Sequence, residues 1–161
     1  MENSPFLNLD DNKFSDRLLE NEMGLVFADI ELFRGADLVL LQEGYLQADQ
    51  VRSCYVNAMV DSGATMLAIP QYVVNQLSLK KISEIEAELA DGSCTTYDLV
   101  GPIEVRFGNR RTTVEALVIP GAVKVLLGAI PMEGMDVLID PKRERLIVNP
   151  DSPNVARMLL M

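Results

Sequence analysis

The residues with the most chemical potential in this chain are Asp61, Ser62 and Gly63, which end the apolar run Ala58-Met59-Val60. An acid at the end of a buried strand is unfavourable unless its charge is shared or hydrogen-bonded. The Ser-Gly that follows offers a hydroxyl, a turn and backbone N–H groups within reach of the carboxylate. A carboxylate fixed in this way is the raw material of general acid–base chemistry. The same tripeptide also serves as an ordinary turn after a strand. The rest of the chain has to decide between the two.

Other chemistries are narrowed by composition. The chain holds no histidine, which removes Ser-His and Cys-His catalysis and the commonest transition-metal ligand. Its two cysteines, Cys54 and Cys94, form no Cys-x-x-Cys pair and are too few for a disulfide framework or a zinc site. Asp10-Asp11-Asn12 lacks the spaced oxygens and glycine of a calcium loop. No metal or cofactor is therefore expected. A net charge of −10 repels phosphate backbones and anionic membrane surfaces, so neither nucleic acid nor membrane is an expected partner. No apolar run reaches the roughly 20 residues of a membrane span. The first residues carry no basic segment leading into an apolar one, and the expected location is cytoplasmic.

The elements that must position Asp61 read as short strands and turns. At 161 residues the chain fits one domain with a real core. Residues 1–22 read as an acidic arm with a short helix near Lys13–Glu20. The main domain is expected over 23–150 and a tail over 151–161. A strand is predicted over 24–33, then Asp37–Glu43 as either helix or strand. Val51–Val60 delivers Asp61, and Thr65–Ile69 follows as a short strand. Pro70 suits the first turn of a helix over Gln71–Leu77. Ile82–Ala90 and Cys94–Val100 alternate polar and apolar residues around Asp91-Gly92, a strong hairpin signal. Gly101-Pro102 bends the chain before Ile103–Phe107, and Thr112–Ile119 completes a meander. Val123–Leu127 reads as a buried strand stopped by Gly128, with one helical turn at Pro131–Met135. Val137–Asp140 and Leu146–Val148 close the pattern as paired strands.

Three features then stand in order: the strand into Asp61-Ser62-Gly63-Ala64, the Asp91-Gly92 hairpin, and Val125-Leu126-Leu127-Gly128 before a helical turn. In this combination the sequence resembles the retropepsin-like aspartic proteases, and in particular their short bacterial stand-alone members. The likeness covers about residues 23–150. It implies a mostly β fold: a single-lobe acid-protease barrel with one or two short helices, closed by homodimerisation.

The resemblance implies a mechanism and roles. One Asp-Ser-Gly per chain implies a homodimer in which Asp61 of each copy forms a dyad, because two-lobed single-chain relatives would need about twice this length. Asp136 and Asp140 flank a strand without such a turn, and Asp91-Gly92-Ser93 has the wrong order. Two close carboxylates share one proton; the ionised one activates water and the other stabilises the oxyanion. An acidic-to-neutral optimum follows. Asp61 is the implied catalytic residue, in an active-site loop of Ser62, Gly63, Ala64 and Thr65. The Ser62 hydroxyl would link the two loops, and Gly63 would give the sharp turn. Ala90, Asp91 and Gly92 would form a flap over an extended polypeptide substrate. Leu127 and Gly128 would support the site from behind. Met66, Val125 and Leu126 are either pocket wall or core, and core is preferred. The competing reading is a weakly active or inactive module of the same fold that binds peptide or dimerises.

Overall fold

The computed structural model describes residues 25–160. The arm expected over 1–22, with its helix near Lys13–Glu20, lies outside the described residues.

The order of elements follows the alternation in the sequence. Strand β1 (Val26–Arg34) buries Val26, Ala28, Ile30 and Leu32 and turns Phe27 and Asp29 outward. Helix α1 (Gly35–Gln42) comes next, so the segment open to either reading is helical. Asp37 fixes it: this carboxylate is 1% exposed and accepts hydrogen bonds from Arg34 Nη1 at 3.0 Å and the Arg52 amide at 3.0 Å. Strand β2 (Ser53–Val60) pairs antiparallel with β1, from Val26 opposite Val60 to Phe33 opposite Ser53. Cys54, Val56, Ala58 and Val60 point inward with the β1 aliphatics. Strand β3 (Leu67–Ile69) and helix α2 (Gln71–Leu77) follow, with Pro70 as the residue that caps α2.

Strands β4 (Lys80–Glu88), β5 (Cys94–Phe107) and β6 (Arg110–Val118) form the expected meander. Gly101-Pro102 does not divide β5 into two strands. The ladder to β6 instead shifts register between Val100 and Ile103, which accommodates a proline that has no N–H to give. One half of β5 pairs with β4, and the other half reaches back to β1 through Glu31–Arg106 and Leu32–Val105.

The meander is only part of the topology. Strand β7 (Leu126–Leu127) is shorter than the run Val123–Leu127, and it inserts between β2 and β3, parallel to β2. Strand β3 lies parallel to β6. The strand order is β1-β2-β7-β3-β6-β5-β4, and the additional β1–β5 pairing closes the sheet into a barrel. Helix α3 (Ala129–Met135) and the hairpin β8 (Val137–Asp140) with β9 (Arg145–Val148) end the fold. The interior is one apolar cluster centred on Leu32, Ala58, Leu67, Ile69, Ile103, Val105 and Leu127. No helix among the described residues is long and apolar enough to cross a membrane.

Candidate active site

The sequence puts an acid one residue beyond a strand, and the tertiary structure turns that end into a rigid platform. The ladder of β2 continues past its last residue: the Asp61 amide donates to the Leu127 carbonyl at 3.0 Å, after the Met59 amide has donated to the Val125 carbonyl at 2.9 Å. The chain then turns tightly, with the Ala64 amide donating to the Asp61 carbonyl at 3.1 Å. The Gly63 amide donates to Asp61 Oδ1 at 2.8 Å. Of the expected donors the backbone N–H is the one in place; the Ser62 hydroxyl is exposed and makes no hydrogen bond among the described residues. Gly63 is not required for a left-handed turn. Its role is space, since a Cβ there would lie 3.1 Å from Asp61 Oδ1.

Helix α3 holds the loop from the other side. Its first amides, Ala129 and Ile130, donate to the carbonyls of Ala64 and Thr65 at 2.8 and 2.9 Å. Those carbonyls satisfy donors that the start of a helix leaves without intrahelical partners. Between strand and helix, Gly128 has no room for a side chain: a Cβ would meet the Met66 oxygen at 2.4 Å and the Ala64 oxygen at 2.8 Å. Leu127 is fully buried beside it. Thus Asp61–Thr65, Leu127 and Gly128 come together as one assembly, built from two segments far apart in the chain.

The hairpin expected to act as a flap is present. Its tip holds the Gly92 amide on the Leu89 carbonyl at 2.9 Å and the Leu89 amide on the Ser93 carbonyl at 2.7 Å. Gly92 alone is left-handed, at φ +83°, and Asp91 is not. The loop is therefore a three-residue turn ending in a glycine bulge. Asp91 Oδ1 accepts from the Ser93 hydroxyl at 2.5 Å and the Ser93 amide at 2.8 Å, which lowers its carboxyl below the usual range. Ala90, Asp91 and Gly92 project from the barrel, and all three are exposed.

A second apolar cluster relates hairpin and loop. Tyr97 and Ala87 of the hairpin pack with Ala68, Ile119, Leu117, Ala122 and Leu126. Leu126 pairs with Met59 on one side and Ala68 on the other, so this cluster lies on the outward face of β7 and β3, next to the strand that leads into Asp61. Val125 is core at 1% exposure, and Leu126 is half-buried in this second cluster. Sequence reading missed the cluster because its members are scattered over separate stretches of the chain.

The remaining candidate acids are tied up elsewhere. The Asp136 carboxylate accepts from the Ser152 hydroxyl, Asn149 Nδ2 at 2.9 Å and the Arg157 amide at 2.9 Å, which hold its pKa at about 2. Asp140 is lowered by the Arg143 side chain and amide. Among the described residues no three His, Cys, Asp or Glu side chains converge on a point that would hold a metal ion.

Comparison with known proteins places the loop and its supports within one family. The sequence model of a family described as aspartyl protease matches residues 50–130, half of the chain, from β2 through the loop and hairpin into α3. The fold is similar to the solution structure of simian foamy virus protease, at 16% identity over 65% of this chain and 90% of that one, with a TM-score of 0.41. It is also similar to a retropepsin-like aspartic protease from Rickettsia conorii, at 15% identity over 74% and 79% with a TM-score of 0.44. The retroviral protease-like domain of Ddi1 from Leishmania major aligns at 14% identity over 78% and 90%, with a TM-score of 0.47. No curated protein matches the chain. The resemblance carried by Asp61-Ser62-Gly63-Ala64 and Leu127-Gly128 thus coincides with the matched family.

Proposed function

Because the chain belongs to the aspartyl protease family, we propose that it is an aspartic endopeptidase that hydrolyses peptide bonds of extended polypeptides. The observation that carries this reading is the fixed carboxylate. Gly63 holds Asp61 Oδ1 on a loop that is itself hydrogen-bonded to β7 and α3, and such pre-organisation is what a general acid–base group needs. The chain has a single Asp-Ser-Gly, so the working enzyme in this reading is a homodimer with one Asp61 from each copy.

Chemistry follows from the pair. The shared proton leaves one carboxylate to take a proton from water as the water attacks the peptide carbonyl. The protonated partner hydrogen-bonds the forming oxyanion, and the proton then passes to the leaving amine. Ser62 and Gly63 stand exposed at the turn, available to the second copy. The hairpin tip Ala90–Gly92 closes over substrate, and its backbone pairs with the extended peptide.

The test is hydrolysis of an unfolded protein by the purified chain beside its Asp61→Asn variant, with sedimentation to report the assembly. Asp61→Asn should lower the rate by about 100-fold or more. Undiminished activity in that variant, or full activity at concentrations where the chain sediments as a monomer, would refute the mechanism.

A further inference from the structure

The outward face beside Asp61 has two chemically different ends. Side chains alternate along a strand, and with Ala58, Val60, Val125 and Leu127 buried, Met59 and Leu126 lie on the opposite face. The registers Phe27–Met59, Met59–Leu126 and Leu126–Ala68 set four side chains in a band across β1, β2, β7 and β3. Asp61 lies two residues beyond Met59, about 7 Å along the strand, and the same alternation puts it on this face.

At one end of the band, Leu126 and Ala68 join the apolar cluster under the hairpin. At the other end Phe27 is 40% exposed, and Lys124 Nζ stands 5.5 Å from its ring centroid. Lys124 is exposed and makes no ion pair among the described residues. Most of the arginines are committed to carboxylates, as Arg34 and Arg52 are to Asp37, and Arg106 and Arg111 are to Glu104. Lys124 is thus a cation without an ion pair at the Phe27 end of the band, in a chain of net charge −10.

We propose that Lys124 is a specificity-determining residue, favouring substrates that place a carboxylate near the Phe27 end of the band when an apolar side chain sits against Leu126. Two strand spacings of about 4.8 Å separate Phe27 from Leu126 and three separate it from Ala68, about three to four residues of extended peptide. The ring of Phe27 restrains the lysine at its outer edge, where an acidic side chain gains a partner without displacing an existing one. The proposal rests on the protease reading and extends it to substrate class: peptides with an acid about three or four residues from an apolar position.

The test uses the full chain and a synthetic peptide library with Glu, Gln or Lys at each position around a fixed apolar pair, and cleavage sites read by mass spectrometry. Glu should be preferred over Lys by about fivefold in kcat/KM at one position, as expected for a partly solvated ion pair. Lys124→Glu should invert that ratio and Lys124→Ala should erase it. Cleavage without a charge preference, or a ratio unmoved by Lys124→Glu, overturns the assignment and leaves the protease reading standing. A wild-type chain that cleaves no peptide, like Asp61→Asn, overturns both.

Discussion

Gly128 and Met66 approach so closely that a Cβ on the glycine would lie 2.4 Å from the Met66 carbonyl oxygen. This contact is where the short strand β7 turns into helix α3 behind the Asp61 loop. Gly128 has φ −93°, so the requirement is for space and not for an unusual backbone. Gly128→Ala must push the Ala64–Met66 backbone away, at a cost of about 1–3 kcal/mol. Activity on an unfolded substrate should fall by more than the loss of stability explains, because Ala64 carries the carbonyl that anchors α3. Urea denaturation and kcat of the variant measure the two effects.

At the hairpin tip the need is conformational. Gly92 sits at φ +83° with nothing within 4 Å of the position a Cβ would take, so crowding plays no part. Gly92→Ala should cost about 1 kcal/mol locally. The expected result is a raised KM with little change in the midpoint of global unfolding, since the tip contributes nothing to the core. An unchanged KM would argue against a substrate-closing role for Ala90–Gly92.

Asp136 links α3 to the tail, and its pKa gives a sign that can be tested. The Ser152 hydroxyl, Asn149 and the Arg157 amide lower it from 3.8 to about 2. A lowered carboxylate pKa stabilises the folded state above the unfolded value, and that stabilisation is lost as pH falls from about 4 towards 2. Asp136→Asn should therefore be less stable than the wild type at neutral pH, with a shallower decline over that acid range. Denaturation midpoints between pH 2 and 7 supply the comparison.

Asp37 secures helix α1 and the segment leading into β2. Its carboxylate is 1% exposed and bonded to Arg34 and to the Arg52 backbone. Asp37→Ala leaves the Arg52 amide without its acceptor and should cost about 2 kcal/mol, in the range of hydrogen bonds to charged groups. Thermal unfolding reads the loss.

Much of the site was legible in the chain itself. The alternation in Ser53–Val60, the turn residues at Ser62-Gly63 and Asp91-Gly92, and the glycine after Leu126-Leu127 are local signals. Each is visible within a few residues, as side-chain period, turn residues or a glycine that ends an apolar run. They sufficed for the strand into Asp61, the hairpin and the family likeness.

What joins those pieces was decided only in three dimensions. No local pattern states that β7 inserts between β2 and β3, that Ala129 and Ile130 donate to Ala64 and Thr65, or that Leu126 shares a cluster with Tyr97. These contacts depend on which strands find each other across the barrel, a choice made by burial of the whole apolar face. The same holds for Gly128, whose glycine is demanded by the Met66 and Ala64 carbonyls packed against it and not by its backbone angle. Sequence determined that an acid would stand at the end of a buried strand with a neighbouring amide in reach of its carboxylate; tertiary packing decided what anchors that loop, because Leu127, Ala129 and Ile130 come from a distant part of the chain.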